Sequence, residues 1–251
     1  MATAKELNKV LLGQDFEADA PHSAESEAYM AAARSYASME SAVAVLSDMA
    51  TDASIIFYGG FAERLGLGTH GTHERIRSIW ESAILGSVHP DDLRNKYIQE
   101  LRFYHFVKRL PAARRYDYYL AGKLRMKDGS GGYVQVLHRM FYKPDASGEN
   151  IRFALCLYNP LTFEVPAGGL AVNSLTGETM ELGRRDNAGI LTERERQVLC
   201  LIAEGLMSKN IADALSISIN TVSRHRQEIL KKLQVRNSIE ACRIAKDMEL
   251  I

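Results

Sequence analysis

Cysteine is scarce in this chain, and the three present, Cys156, Cys200 and Cys242, are odd in number and far apart. With no C-x-x-C, neither a zinc site nor a disulfide framework is expected, and a reducing cytoplasm fits. Long apolar runs are missing, as is a charged-then-apolar leader, so neither a membrane span nor secretion is expected. Charge of one sign is not in excess either, since 31 Lys and Arg face 31 Asp and Glu. The whole molecule therefore exerts no pull on nucleic acid, and any such pull has to be local. There is no internal repeat, no low-complexity tract and no Walker-type glycine loop. No Ser-His-Asp or Cys-His set is readable, although triad members can lie far apart in sequence. The chain is accordingly not expected to be an enzyme; no catalytic residue, metal ligand or cofactor is assigned.

What is present is the composition of an ordinary globular protein, 46% hydrophobic and 25% charged, in 251 residues that leave room for two domains. Residues 190–251 organise the rest. They read as four short helices, the second and third being Ser208–Leu215 and Ser218–Leu233, joined through Ser216-Ile217. Thr192 followed by Glu195 is a capping box. Val198, Leu199, Ile202 and Ala203 then recur at helical spacing, and Gly205 suits a left-handed helix exit. Ser208, Ser218 and Ser238 are expected to cap the next three helices.

At 100° per residue, Val222, Ile229 and Leu233 of the third helix fall on one side. Asn220, Arg224, Gln227 and Lys231 fall opposite, with Ser223 flanking. Arg and Gln can pair bidentately with guanine and adenine edges in a major groove. From Ser223 to Arg236 five bases, Arg224, Arg226, Lys231, Lys232 and Arg236, stand against Glu228 alone. Such a face is a helix-turn-helix arrangement or the solvated side of a small bundle.

The segment resembles the LuxR-type helix-turn-helix family of bacterial transcription regulators. The match runs through Leu191-Thr192-x-Arg194-Glu195-x-x-Val198-Leu199, Gly205, Ser208-Lys209-x-Ile211-Ala212-x-x-Leu215, Thr221-Val222-x-x-His225, Ile229 and Lys232-Leu233. The resemblance implies that Ser223, Arg224 and Gln227 approach bases of double-stranded DNA and that Lys209, Thr221 and Lys231 approach phosphates. It also implies pairing through the fourth helix, around Ile239–Met248, where Ile239, Cys242 and Ala245 form a small apolar stripe. Arg226 departs from the family, which has an apolar residue there; its stem is expected to pack while its guanidinium reaches a phosphate.

Residues 1–52 are read as a helical segment, with a helix from about Ser23 to Ala50. Tyr29, Ala32, Tyr36, Met39, Val43, Leu46 and Ala50 repeat at alternating steps of three and four, a seam that either joins two chains or docks on the following domain. Residues 53–160 change texture. A β-prone run at Ser54–Tyr58 closes with Gly59-Gly60. His89-Pro90-Asp91-Asp92 opens a helix to about Arg109, with proline at its entry and acids in its first turn. Strands at Tyr116–Lys127, Tyr133–Tyr142 and Ile151–Tyr158 form an antiparallel meander around the Asp128-Gly129 turn. The His89–Leu93 motif and this hairpin resemble a PAS domain, which implies a sensing or dimerising module with a ligand between helices and sheet in some members. Residues 161–189 are a glycine-bearing linker with a small hairpin around Thr176-Gly177.

Two histidine contexts lead nowhere: His70-Gly71-Thr72-His73 lacks further ligands for a metal, and His105 is a lone helical histidine. Lys143-Pro144 is similar to the end of a receiver domain, but the βα alternation of one is missing. The expected architecture is α+β: a PAS-like antiparallel sheet with helices, joined to an all-α four-helix DNA-binding domain. The expected function is a homodimeric, cytoplasmic, sequence-specific regulator of transcription that receives a small-molecule or protein signal. The alternative is a PAS-type interaction module whose helical domain no longer binds DNA specifically.

Overall fold

The computed structural model describes residues 2–16, 24–145, 147–166, 168–182, 191–233, 235–247 and 250–251. Ser23 and Met248, together with residues 183–189 of the expected linker and residue 190, lie outside the described residues. The chain divides into two compact units. One is Leu11–Glu181; the other is Leu182–Ile251 together with the residues up to Val10.

The larger unit is built on one antiparallel sheet of eight strands in the order β3-β2-β1-β6-β5-β4-β7-β8. The strands are β1 (Val43–Asp48), β2 (Ala53–Tyr58), β3 (His73–Ile76), β4 (Tyr118–Lys127), β5 (Tyr133–Pro144), β6 (Ile151–Pro160), β7 (Leu170–Asn173) and β8 (Thr179–Glu181). The β4–β5–β6 meander lies where the alternating pattern puts it, with Gly122 opposite His138 and Met140 opposite Cys156. The β7–β8 hairpin, expected inside a linker, instead extends the sheet: Leu120 and Ala121 of β4 pair with Ala171 and Leu170.

The N-terminal helix is shorter than its sequence period suggests. The helix following α1 (Ala2–Leu12), α2 (Ala24–Met39), ends at Met39, and Val43 and Leu46 belong to β1. The break is made by Ser41, a non-glycine residue at φ 52°, which reverses the chain without a glycine or proline signal. Gly59 holds the other side of this corner. Its N–H donates to Ala42 O at 2.8 Å, and a Cβ there would stand 2.3 Å from Ala37 O. The helix docks on the sheet, but through Ala33 and Ala37 rather than through the seam positions: these two pack on Ala44, Leu46, Ile55, Phe57, Phe153, Leu155 and Leu157 of the sheet's outer face, with Tyr29 and Tyr36 of the seam beside them and Met39 78% exposed. Tyr29 lies 5.2 Å from Phe153, ring centre to ring centre. Small alanines let the helix approach while the sheet supplies the bulk; each buried Leu or Phe contributes about 1.5–3 kcal/mol.

The inner face of the sheet is covered by α3 (Gly60–Arg64), α4 (Ser82–Ser87) and α5 (Pro90–Arg109). His89 is the N-cap of α5, its Nδ1 accepting from Asp91 N, and Pro90 is the first helical residue. Asp92 then grips β4: its carboxylate accepts from Arg125 Nε at 2.9 Å and Nη2 at 2.7 Å. This bidentate pair holds the Asp92 carboxyl below its ordinary range.

The smaller unit contains α6 (Glu193–Ala203), α7 (Ser208–Leu215), α8 (Ile219–Leu233) and α9 (Ser238–Asp247), each within a residue or two of its expected place. The residues of α1 up to Val10 group with this unit rather than with a separate N-terminal segment, and Leu7 and Val10 are buried. Among the described residues, no helix is long and apolar enough to cross a membrane.

Candidate nucleic-acid interface

The core of the helical unit is Leu191, Val198, Leu199, Ile211, Ala212, Val222, Ile229, Leu233, Ala241, Ile244 and Ala245, all buried. The three buried positions of α8 are those the helical wheel selects. The connection from α7 to α8 is made by Ser216, left-handed at φ 53°, ψ 46°, after which Ile217 N donates to Ala212 O at 3.0 Å. Ser218 caps α8 as expected, accepting from Thr221 N at 3.0 Å. The Thr221 hydroxyl lies 2.9 Å from the Ser218 hydroxyl, so its position is set by the cap.

The capping box on α6 is complete. Glu195 N donates to Thr192 Oγ1 at 3.2 Å, and Thr192 N donates to Glu195 Oε2 at 2.7 Å. The same carboxylate has a second task that sequence spacing does not reveal. It accepts from Lys232 Nζ at 2.8 and 2.7 Å, joining the start of α6 to the last turn of α8. Burial pushes the Glu195 carboxyl up, but the bonds from Lys232 and Thr192 outweigh it, and the net direction is down.

Arg226 is the second clamp on α8. Its Nη1 donates to Ser208 Oγ and its Nη2 to Ser238 Oγ, both at 3.0 Å. This corrects two expectations. The guanidinium is directed between α7 and α9 rather than outward to a phosphate. The two serines accept its hydrogen bonds instead of capping their helices: Met207 is the N-cap of α7, and Asn237 Oδ1 accepts from Glu240 N at the start of α9. A lone charge at a position the wheel marks as inward is satisfied by hydroxyls from both neighbouring helices.

With α8 held at Arg226 and Lys232, its opposite face is open. Asn220, Ser223, Arg224, Gln227 and Lys231 are all exposed, as is Lys209 on α7; Thr221 is half-buried. The seven residues other than Arg226 are thus accessible on α7 and α8. On α9 the expected stripe separates, because Ala245 is in the core and Cys242 is half-buried, its Sγ donating to Leu199 O. Ile239 alone of the three is fully outward, at 83% exposure.

Four helices with a tight α7–α8 connection and an outward polar, basic second helix define a helix-turn-helix domain. Residues 189–245 match the family described as bacterial regulatory proteins, luxR family. The C-terminal domain is therefore a LuxR-type helix-turn-helix domain. Among curated relatives, the chain is 47% identical over 60 residues to the transcriptional regulatory protein DesR of Bacillus subtilis, covering 24% of this chain and 30% of that one. It is 46% identical over 56 residues to the nitrate/nitrite response regulator protein NarP of Escherichia coli, covering 22% and 26%. The chain thus spans only about a quarter to a third of the length of these relatives. Solved structures of a phage VqmA–DPO complex and of Escherichia coli SdiA align at 16% and 17% identity, covering 90% and 92% of this chain and 93% of each of theirs. Their TM-scores are 0.31 and 0.27.

Proposed function

We propose that this chain is a homodimeric, sequence-specific DNA-binding regulator of transcription. Its α8 enters a major groove, and a PAS-like N-terminal domain receives a signal or mediates dimerisation. One observation carries the proposal: the face of α8 that holds Asn220, Ser223, Arg224, Gln227 and Lys231 is exposed, while Val222, Ile229 and Leu233 behind it are buried. A merely solvated face would not need its helix fixed at both Arg226 and Lys232. Fixed orientation is what base reading requires, because a bidentate contact tolerates little rotation.

In this reading Ser223, Arg224 and Gln227 contact base edges, with Asn220 beside them. Lys209, Thr221 and Lys231 contact phosphates, and Thr221 is pre-set for that by Ser218. Arg226 positions α8 from within the protein. The PAS-like reading of the other unit is supported by α3–α5 between the short strands and the long meander, with the His89–Leu93 helix entry tied to β4.

A mobility shift with operator-like DNA over a range of salt tests the proposal. Binding should be preferential for particular sequences. Its logarithm should fall linearly with the logarithm of salt concentration, at about −0.9 per phosphate neutralised. Binding that is insensitive to both sequence and salt would leave the interaction-module alternative.

A further inference from the structure

The PAS-like unit contains a group of charges that the DNA-binding reading does not use. Lys96 and Glu100 lie one helical turn apart on α5, both nearly fully buried, and Lys96 Nζ donates to Glu100 Oε1 at 2.5 Å. Glu81, 5% exposed, closes the loop before α4. That loop is anchored to the inner face by Ser54, whose hydroxyl is 2.9 Å from both Ser47 Oγ and Ser78 O, and by Asp52, which accepts from Ile79 N. Ser47 Oγ reaches Glu81 Oε1 only at 3.5 Å. The three ionisable groups line one cavity with Leu11, Trp80, Met140, Tyr142 and Cys156.

When Glu81 is ionised, the charges in this cavity do not balance. Lys96 supplies one positive charge, and Glu100 and Glu81 supply two carboxylates. Every other titratable group around them is held neutral by burial. The Cys156 thiol and the Tyr142 and Tyr158 hydroxyls are pushed up, and His138 is pushed down, by burial first and then by the Lys96 charge. Glu81 itself is pushed up to about 7, by burial first, with Lys96 opposing. The Tyr142 hydroxyl, on a side chain 1% exposed, lines the cavity with no hydrogen-bond partner. The cavity volume is about 30 Å³, which at about 10–15 Å³ for each water is room for two non-hydrogen atoms.

On the reading of this unit as a sensor, we propose that the cavity between α5 and the sheet binds a small primary ammonium ion. Its N–H donors are taken by Glu81 and by the Tyr142 hydroxyl oxygen, and its positive charge balances the second carboxylate. Three features select this class. A buried carboxylate whose one nearby cation, Lys96, is hydrogen-bonded to Glu100 instead favours a further cation over an anion or a neutral molecule. An unpartnered hydroxyl beside it favours a ligand with several N–H donors over a tetraalkylated one. The space limits the buried part to about the size of methylammonium. The proton is the competing ligand: at low pH Glu81 is neutralised, and the cavity no longer attracts a cation.

Thermal melting of the full chain with methylammonium chloride tests this, against sodium chloride, tetramethylammonium chloride and methanol at matched concentrations. Methylammonium alone should raise the midpoint saturably at pH 8, with roughly tenfold weaker binding at pH 6 as Glu81 protonates. Glu81→Gln should abolish the shift, and Tyr142→Phe, which removes only the hydroxyl, should weaken it. An equal shift with methanol or tetramethylammonium, no saturable shift, or full binding by Tyr142→Phe would overturn the assignment. If Glu81→Gln does not fold, Tyr142→Phe decides alone. A mobility shift without amine, run on the same preparations, separates failure of this proposal from failure of the DNA-binding reading.

Discussion

Arg224 and Arg226 stand two residues apart on α8 and do different work. Arg224 is exposed on the outward face, whereas Arg226 donates hydrogen bonds to the Ser208 and Ser238 hydroxyls. Their substitutions should therefore separate stability from recognition. Arg226→Ala should cost about 1–3 kcal/mol of folding free energy in denaturant melts of the full chain, because a charged donor and two hydroxyl partners are lost from a part-buried site. Arg224→Ala should leave those melts unchanged and remove about 1–3 kcal/mol of discrimination at one base position. Equal melts for the Arg226 variant and its parent would refute the clamp. At this scale the sequence was half legible. The wheel places Arg226 inward, but nothing local says that serines eighteen positions before it and twelve after it converge there. Each of those serines also precedes an apolar run, which is the pattern of a cap.

At the scale of elements, Glu195 joins the first turn of α6 to Lys232 on α8. Thr192→Ala should lose about 0.5–2 kcal/mol. Because the Glu195 carboxyl is held below its ordinary value, it stabilises the fold above that value. The contribution is lost as pH falls through the lowered one, so acid melts of Glu195→Gln should be flatter than the parent's on that side. The helices α5, α6 and α8 and the β4–β6 meander were readable because cap or turn and period agree in each, whereas α7 and α9 were readable from their period although their caps differ from those expected. The strand β1 was not, since Val43 and Leu46 continue the three-four spacing of α2 and the reversal at Ser41 carries no turn residue. The buried pair Lys96–Glu100 escaped notice for a related reason: opposite charges four apart ordinarily mark an exposed helix face.

At the scale of the whole molecule, Glu81 and Glu195, one in each unit, should respond oppositely to pH. Glu81 has its folded value raised from 4.5 to about 7, so its neutral form stabilises the larger unit. That contribution is complete below the unfolded value and fades as pH rises through 7, a loss of about 3 kcal/mol. Melts of the parent and Glu81→Gln that coincide below pH 4.5, diverge as pH rises from there to about 7 and keep a constant gap above it, with the variant the more stable, would bear this out; a gap that does not change with pH would contradict it. The outward stripe on α9 is smaller than the sequence suggests, with only Ile239 fully exposed. Most of the pairing affinity is therefore expected from the Leu11–Glu181 unit. Sedimentation of residues 11–181 beside the full chain should show dimers of comparable strength, and a monomeric 11–181 would transfer pairing to the helical unit.

The central claim is that the outward face of α8 reads DNA sequence. Selection of bound duplexes from a random pool, by the full-length parent and by Arg224→Ala in parallel, tests it most directly. The parent should enrich a two-fold symmetric motif with half-sites about one helical turn apart. The variant should enrich the same motif with preference lost at one position in each half-site. Enrichment of no motif by the parent, or of an identical motif by both proteins, would contradict the account.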